Sequence, residues 1–330
     1  MFLILGEQLY RSGLWLVKQG YRRGILKTHR MKVPVISVGN LTWGGTGKTP
    51  LVMMLARALE KKGYRVAVLT RGYGADEAAM MAERLQPVPV MVGPDRVATG
   101  RRAVEEMGVD LLLLDDGYQQ WRLKKDVEIL ALDAAAPLGN GHLIPRGTLR
   151  EPAAAAARAN LIIVKESAPD AAERKAVTAK IRALNGAAPI FFMRYQPQEL
   201  WRWTTREVVP LRTLKGQKVC TLAGLGHPQS FEATVASLGA APALKYRVRD
   251  HHPYTAGEML SFLSRCRRHG ISKMITTAKD AVRLPGLLSK SIGPELKGVD
   301  LLVLEVDPLL DPDESELLHR IDTLLARARG

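Results

Sequence analysis

Short apolar runs alternate with stretches of helical periodicity along the first part of the chain. An apolar run at 33–38 ends in Gly39, residues 48–62 follow a helical pattern, and residues 65–70 form a second run rich in β-branched side chains. Further apolar runs occupy 88–92, 111–114, 127–132 and 161–164, and the helical stretches between them include 97–107 and 171–184. This alternation predicts a doubly wound α/β fold, in which helices cover both faces of a mostly parallel sheet.

The character of the sequence changes near residue 195. The stretch 196–212 contains prolines and tryptophans among short polar pieces, which indicates a connection between two lobes. Beyond it, apolar runs at 219–223, 243–248, 273–277 and 301–306 alternate with helical stretches at 231–238, 256–269 and 314–328. We therefore expect two domains, residues 1–195 and a smaller α/β domain at residues 196–330.

Residues 2–26 carry apolar side chains at roughly helical spacing, with basic residues between them. The apolar and aromatic positions are Leu5, Leu9, Tyr10, Leu14, Trp15, Val17 and Tyr21, and the basic ones are Arg11, Lys18, Arg22 and Arg23. This pattern predicts a helix that lies on a surface, either a membrane or the protein's own domain, and the sequence favours neither. Charges interrupt the run short of the ~18 apolar residues of a spanning helix, and no signal-peptide cleavage site follows, so we expect a cytoplasmic protein.

Basic residues dominate the charge of the chain. Among 330 residues, 48 Lys and Arg against 33 Asp and Glu give a formal net charge of +15, which favours anionic partners. Nucleic acid is not the expected partner, because the sequence carries no recognition-helix, zinc-finger or aromatic RNA-binding signature. Cys220 and Cys266 lack the spacing of a zinc site or a disulfide scaffold, so we expect buried thiols in a reducing compartment.

A glycine-rich segment between the first apolar run and the next helical stretch predicts phosphate binding. From Gly39 to Thr49 it reads Gly-Asn-Leu-Thr-Trp-Gly-Gly-Thr-Gly-Lys-Thr, which ends in the core of a P-loop, although Thr42 replaces the usual first glycine. In such a loop backbone amides surround phosphate oxygens, Lys48 pairs with the β- and γ-phosphates, and the Thr49 hydroxyl binds Mg²⁺. The candidate nucleotide-binding residues are Gly44, Gly45, Thr46, Gly47, Lys48 and Thr49.

Two adjacent acids, Asp115 and Asp116, follow the apolar run at 111–114. Open α/β sheets bind ligands at the carboxyl ends of their strands, and a P-loop needs a nearby acid to hold its metal ion. We therefore expect Thr49, Asp115 and Asp116 to form a Mg²⁺ site, with one of the two aspartates binding the ion directly or through water.

Nucleotide binding alone leaves more than one functional class open. Besides a phosphotransferase, the paired glycines fit a nucleotide-switch ATPase or GTPase of the partitioning or metal-insertion type. Those switches carry a signature lysine before the glycines, where this chain has Trp43, so the switch class is the alternative interpretation. A non-catalytic membrane-binding module is a further alternative, and the P-loop together with the acid pair argues against it.

A series of tracts occurs in one order along the chain, and together they resemble the tetraacyldisaccharide 4'-kinase family. They span 39–50, 70–74, 115–119, 126–129, 145–152, 223–228, 250–251 and 276–280. The resemblance covers nearly the whole chain. It implies a P-loop kinase that uses ATP and Mg²⁺ to phosphorylate the 4'-hydroxyl of an acylated disaccharide 1-phosphate in lipid A synthesis, with the C-terminal domain closing the active-site cleft.

The resemblance also implies where the enzyme works. Its lipid substrate is anchored by acyl chains, so we expect the basic N-terminal helix to dock on the anionic cytoplasmic face of the bacterial inner membrane. The implied partners are ATP and the acylated disaccharide phosphate, without nucleic acid, and a monomer is expected.

For the acceptor of the hydroxyl proton, the resemblance implies an aspartate assisted by a histidine. The matching residues are Asp76 and His251. The first tract departs from the family's Gly-Asp-Glu pattern, because Ala75 replaces the glycine and a preceding segment common in the family is missing. The alternatives are Asp95 for the base and His227 and His252 for the histidine.

The remaining candidates are carried over from the matching tracts. Guanidinium groups suit phosphate oxygens, and Arg150 is expected to act on the transferred phosphate. The implied catalytic set is Asp76, His251, Lys48, Asp115, Asp116 and Arg150. Gln119 is assigned to the nucleotide site, and the candidate substrate-binding residues are Asn40, Arg71, Tyr73, Glu77, Arg96 and Glu151.

Overall fold

The computed structural model describes residues 1–43, 47–72, 75–167, 170–250, 252–284 and 298–329, and the side chains of residues 75, 76 and 329 lie outside this description. The chain forms two compact units, Met1–Arg194 with Pro308–Gly330, and Tyr195–Asp307. The sequence pattern predicts one C-terminal domain at 196–330, whereas in the structure the residues from Pro308 onward group with the first unit. Closure of an active-site cleft by the second domain stays a prediction.

The first unit is a parallel sheet flanked by helices, with the strand order β3-β2-β4-β1-β5-β6-β7. Its elements are α1 (Phe2–Arg22), β1 (Val35–Gly39), α2 (Lys48–Lys61), β2 (Val66–Thr70), α3 (Ala75–Arg84), β3 (Val90–Val92), α4 (Arg96–Met107), β4 (Leu111–Asp115), β5 (Val127–Asp133), a 3-10 helix (Ala153–Arg158), β6 (Leu161–Lys165), α5 (Ala171–Arg182) and the start of β7 (Ile190–Arg202). The predicted fold class, a P-loop-type doubly wound α/β sheet with a smaller α/β unit, is confirmed.

The central strands explain where a ligand can bind. All residues of β1, β2 and β4 are buried, as expected for apolar strands covered on both faces. β1 pairs in parallel with β4 on one side and with β5 on the other, and Val38 lies opposite Asp115. The carboxyl ends of β1 and β4 are therefore adjacent, which brings the segment after Gly39 next to the acid pair.

The C-terminal helix α9 (Glu314–Arg329) is part of the first unit. It buries Leu317, Ile321 and Leu325, which recur at helical spacing along one face. Its Asp322 forms an ion pair with Lys62 and accepts a 3.4 Å hydrogen bond from the Tyr64 hydroxyl.

The second unit contains parallel strands in the order β10-β9-β11-β12. Its elements are β8 (Val208–Val209), a 3-10 helix (Leu211–Leu214), β9 (Lys218–Ala223), α6 (Pro228–Ser237), β10 (Ala241–Arg247), α7 (Ala256–Arg268), β11 (Lys273–Thr277), α8 (Ala278–Ala281) and β12 (Asp300–Asp311), whose last residues enter the first unit. Cys220 and Cys266 are free and buried in its core, as expected.

Helix α1 ends at Arg22, a few residues before the predicted end. Its first half leaves large apolar side chains in solvent, including Phe2 at 85% exposure and Leu9 at 67%. Glu7, by contrast, is buried at 2%. None of the helices in the described parts of the chain is long and apolar enough to cross a membrane.

Candidate active site

The P-loop connects β1 to α2, and glycine permits its close approach to the loop after β4. A Cβ added at Gly39 would lie 2.6 Å from the backbone nitrogen of Tyr118. Gly47, with a φ of 78°, precedes α2, and Lys48 and Thr49 begin this helix at the end where backbone N–H groups favour anions. The predicted phosphate-binding residues Gly44, Gly45 and Thr46 lie outside the described residues.

Asp116 lies between two cations. Nη1 and Nη2 of Arg150 each donate a 2.8 Å hydrogen bond to a different oxygen of its carboxylate, and Lys48 Nζ lies 3.5 Å from Oδ1. Burial acts to raise the pKa of Asp116, but the hydrogen bonds from Arg150 and the charge of Lys48 outweigh it and hold this pKa well below its usual range. Asp116 also has a left-handed φ of 52°, which turns the chain sharply just after β4.

Asp115 has the opposite electrostatic environment. It is only 7% exposed and accepts a 3.2 Å hydrogen bond from the Thr70 hydroxyl. Burial, followed by the negative charge of Asp116, raises the pKa of Asp115 to about 6, and Glu77 adds to this effect. Two neighbouring carboxylates with opposed pKa shifts, beside a P-loop lysine, are typical of a functional site.

Hard oxygen donors suit Mg²⁺, and the donor set at this end of the sheet fits that ion. Thr49 offers a hydroxyl at the start of α2, and Asp115 and Asp116 offer carboxylate oxygens at the end of β4. Lys48 lies 3.5 Å from Asp116, so the acid pair lies close to the lysine that the sequence predicts to bind phosphate.

Asn40, Gln119 and Glu151 lie together beside Arg150. Arg150 Nη2 donates to the Asn40 carbonyl oxygen at 3.1 Å and also contacts the Asn40 side-chain oxygen. Gln119 Nε2 donates to the same carbonyl at 3.0 Å and to Glu151 Oε1 at 2.9 Å. The tracts at 39–50, 115–119 and 145–152 are thus joined by direct contacts between their candidate residues.

Arg158, which is not among the candidates predicted from the sequence, links several of these tracts. Its guanidinium donates to Glu151 at 2.6 and 2.9 Å and to the Tyr118 carbonyl at 2.8 Å, and it stacks 3.8 Å from the centre of the Tyr118 ring. Its Nε lies 2.9 Å from Glu128 Oε2, and Lys125 forms an ion pair with the same carboxylate. The available signal was position, because Arg158 directly follows the five alanines at 153–157, just beyond the matching tract at 145–152.

Glu151 is fully buried and has a second cationic partner from α1. Lys18 Nζ lies 2.7 Å from Glu151 Oε2. Burial acts to raise the pKa of Glu151, but Arg158 and then Lys18 outweigh it and hold that pKa below its usual value. The helical spacing of residues 2–26 predicts that Lys18 lies at the surface. That spacing gives no indication that Lys18 contacts the buried carboxylate of Glu151.

The region of the predicted base is only partly described. Asp76 belongs to the first turn of α3, and its side chain, together with Tyr73 and His251, lies outside the described residues. Glu77 is half-buried and close enough to influence the pKa of Asp115. Arg71 is exposed just beyond β2.

Asp95 and Arg96 have structural partners of their own. Asp95 caps α4 by accepting hydrogen bonds from the backbone nitrogens of Val97 at 2.9 Å and Ala98 at 3.2 Å. Arg96 is 5% exposed and donates to the carbonyl oxygens of Gly93 at 3.2 Å and Pro94 at 3.5 Å. The alternative base is thus a helix cap, and the substrate role of Arg96 stays a prediction.

Two tracts of the second unit, 223–228 and 276–280, meet at the buried carboxylate of Asp280. It accepts hydrogen bonds from the Gly224 nitrogen at 3.1 Å, the Tyr254 hydroxyl at 2.8 Å and the Thr277 hydroxyl at 2.7 Å. Next to Tyr254, the alternative histidine His252 lies 3.0 Å from Glu258. The other alternative, His227, precedes α6.

Comparisons with known proteins agree with this arrangement of tracts. A model of the tetraacyldisaccharide-1-P 4'-kinase family matches residues 1–76 and 75–326. The tetraacyldisaccharide 4'-kinase of Anaeromyxobacter dehalogenans (strain 2CP-C) is 39% identical over 347 residues, covering 98% of this chain and 88% of the relative. That of Geobacter metallireducens is 35% identical over 330 residues, covering 93% of each chain.

A crystal structure of a similar protein has the same fold as this chain. The crystal structure of LpxK from Aquifex aeolicus in complex with ATP is 28% identical, has a TM-score of 0.72, and covers 98% of both chains. The two segments matched by the family model meet at Ala75 and Asp76, where the sequence analysis finds a family segment missing. The chain belongs to the tetraacyldisaccharide-1-P 4'-kinase family.

Proposed function

We propose that this protein is the ATP- and Mg²⁺-dependent kinase that transfers the γ-phosphate of ATP to the 4'-hydroxyl of a tetraacyldisaccharide 1-phosphate in lipid A biosynthesis. The observation that carries the proposal is the position of Asp116, held by Lys48 and Arg150 at the end of β4, in a chain whose relatives are named for this reaction. Phosphoryl transfer depends mainly on positioning and on stabilising charge, and this arrangement supplies both.

On the nucleotide side, Lys48 would pair with the β- and γ-phosphates, and Thr49 with Asp115 or Asp116 would hold Mg²⁺. The metal ion, when bound, neutralises phosphate oxygens. Arg150 lies within hydrogen-bond distance of Asp116 and Asn40, and a guanidinium at this position suits the oxygens of the transferred phosphate. Gln119 and Glu151 fix the surroundings of Arg150 through Asn40.

On the acceptor side, Asp76 takes the proton of the 4'-hydroxyl while the hydroxyl oxygen attacks the γ-phosphorus. The bond between that phosphorus and the bridging oxygen breaks, and ADP leaves. His251 assists Asp76. The family match at these positions supports both roles, and the substrate contacts of Arg71, Tyr73, Glu77 and Arg96 rest on the same match.

The substrate is a lipid, so we propose that the enzyme works as a peripheral protein on the cytoplasmic face of the inner membrane. The exposed apolar residues of α1 support this, because Phe2, Leu9 and Trp15 are 85%, 67% and 57% exposed. An amphipathic helix with apolar residues on one face and basic ones beside them binds anionic interfaces.

The test is transfer of label from γ-labelled ATP to a tetraacyldisaccharide 1-phosphate in detergent micelles with Mg²⁺. Wild-type protein is compared with Lys48→Met, and Lys61→Met serves as a matched control, since it removes an exposed lysine at the other end of the same helix. We expect lipid labelling in the wild type and in Lys61→Met, and its loss in Lys48→Met and after chelation of Mg²⁺.

Two outcomes would contradict the proposal. Release of inorganic phosphate without labelled lipid would replace the kinase by a nucleotide-switch ATPase. Labelling that survives in Lys48→Met would remove the P-loop lysine from the mechanism.

A further inference from the structure

The two ends of helix α1 differ in their surroundings. Its first turns expose Phe2, Leu3 and Leu5, while residues further along the helix make polar contacts with the tract at 143–151. The first of these contacts is made by Glu7, which accepts a 3.1 Å hydrogen bond from the Leu143 nitrogen. An amphipathic helix that needed only to hold the protein at a surface would not require buried contacts of this kind.

Two further contacts reach Arg150, which binds Asp116, and its neighbour Glu151. The Tyr10 hydroxyl donates a 2.8 Å hydrogen bond to the backbone carbonyl of Arg150. Lys18 Nζ lies 2.7 Å from Glu151, which is fully buried. Arg150 in turn binds Asp116 with two hydrogen bonds of 2.8 Å. Arg150 therefore connects α1 directly to Asp116, the carboxylate beside Lys48.

We propose that α1 couples an anionic lipid surface to the nucleotide site, so that binding of α1 to lipid and binding of Mg²⁺-nucleotide each strengthen the other through Tyr10 and Lys18. The proposal rests on the peripheral membrane binding proposed above. Allosteric coupling between two ligands is reciprocal, so one factor must describe both effects.

The physical basis is the shared need for an ordered α1. Most of the stability of a helix in a protein comes from packing of its amphipathic face rather than from intrinsic propensity, and a lipid surface covers the exposed apolar side chains of α1. The contacts of Tyr10 and Lys18 need the same helix. When one ligand has already ordered α1, the other no longer bears that conformational entropy.

Lys18 is therefore a positioning residue rather than a catalytic one. It contacts Glu151 and lies 5.5 Å from the ring centre of Trp121, with no described contact to the acid pair itself. Its loss leaves Glu151 with Arg158 and Gln119 as partners, which keeps the buried carboxylate compensated.

The experiment measures the dissociation constant of a non-hydrolysable ATP analogue with Mg²⁺, with and without phosphatidylglycerol-containing vesicles. In the same samples, vesicle binding is measured with and without the analogue. Lys18→Met and Tyr10→Phe are compared with Lys27→Met, a control that removes an equivalent charge from an exposed lysine beyond the end of α1.

In the wild type and in Lys27→Met we expect vesicles to tighten nucleotide binding about fivefold or more, and nucleotide to tighten vesicle binding by the same factor. In Lys18→Met and Tyr10→Phe the factor falls to about one, while each ligand alone still binds. Tyr10→Phe keeps the ring and carries the test if Lys18→Met fails to fold.

Vesicle binding by the wild type without any change in nucleotide affinity would overturn the coupling and leave membrane binding in place. Full coupling in both variants would overturn the assignment to Tyr10 and Lys18. A wild type that binds no vesicles would overturn the membrane proposal and the coupling together, without touching the kinase activity in micelles.

Discussion

Arg150 and Asp116 are joined by two parallel hydrogen bonds of 2.8 Å, one from each terminal nitrogen of the guanidinium. A lysine at position 150 could offer only a point charge in place of this fork. The position of Asp116 beside the P-loop therefore depends on the identity of the residue at 150 as well as on its charge.

We predict that Arg150→Lys lowers kcat by about 10²- to 10³-fold, the usual effect of removing one preorganised donor from a charge-stabilising site. Steady-state kinetics with ATP and the acylated disaccharide phosphate provide the measurement. Arg102→Lys is the control, because Arg102 is exposed on α4 and pairs only at 3.4 Å with Glu106. Equal kcat values in Arg150→Lys and the wild type would show that the fork is dispensable.

The two candidate bases, Asp76 and Asp95, can be distinguished by experiment because Asp95 caps helix α4. Asparagine also caps helices, so Asp95→Asn should retain both stability and activity, whereas Asp95→Ala should lose about 1 kcal/mol of unfolding free energy. Asp76→Asn should lower kcat by about 10²- to 10⁴-fold, as expected for a general base. Kinetics together with urea denaturation distinguish the three variants. An inactive Asp95→Asn beside an active Asp76→Asn would exchange the two roles.

Gly39 allows the close approach of the P-loop to the loop after β4. A Cβ at this position would lie 2.6 Å from both the nitrogen and the Cβ of Tyr118. We predict that Gly39→Ala destabilises the protein by about 1–3 kcal/mol and weakens nucleotide binding, because the backbone must shift.

Gly13 provides the matched control for this substitution. It lies within α1, and a Cβ added there meets no atom within 4 Å. Gly13→Ala should stabilise the protein by about 0.5–1 kcal/mol through helix propensity. Thermal denaturation and nucleotide titration measure both variants, and similar effects of the two substitutions would contradict the steric argument.

In the second unit, Glu232 is 6% exposed and accepts two hydrogen bonds of 2.7 Å from Arg247. These bonds, against the opposing effect of burial, hold the pKa of Glu232 below its usual 4.5, and the charges of Arg247 and Lys245 add to the shift. The stabilisation is therefore fully present above pH 4.5 and disappears as the pH falls through the lower pKa of the folded state.

We predict that Glu232→Gln lowers the unfolding free energy at pH 7 by about 1–2 kcal/mol, a value reduced by the partial exposure of Arg247. The difference from the wild type should shrink toward zero on acidification. Glu106→Gln breaks an exposed pair on α4 and should change stability by less than about 0.5 kcal/mol. Denaturation curves between acidic and neutral pH supply the measurement. If the difference in unfolding free energy between Glu232→Gln and the wild type grew on acidification, the predicted direction of the pH dependence would be wrong.

The strands, and the position of the acid pair near Lys48, were predictable from the sequence because both follow from parallel-sheet geometry. The apolar run at 111–114 corresponds to β4, and the carboxyl ends of adjacent strands meet, so Asp116 lies near Lys48 as expected. Arg150 was a candidate through the family resemblance alone. Its fork on Asp116 became visible only in three dimensions.

Lys18 and Arg158 were not predictable for a common reason. Helical periodicity sorts side chains onto faces, but it does not show which surface a face meets. Lys18 meets a carboxylate at position 151, and Arg158 binds groups at positions 118, 128 and 151, all brought together by the fold. The same holds for residues after 308, whose pattern predicts a strand and a helix without indicating the unit in which they pack.

The return of the chain to the first unit has a consequence for biosynthesis. A ribosome delivers residues in order, and domains generally fold as units once their residues have emerged. The second unit, Tyr195–Asp307, is then complete while the first still lacks α9 and its buried Leu317, Ile321 and Leu325. The unit that carries the P-loop is therefore the last to be completed. A stop codon before α9 would leave the second unit with all of its residues, but the first unit would have an uncovered apolar surface where α9 packs.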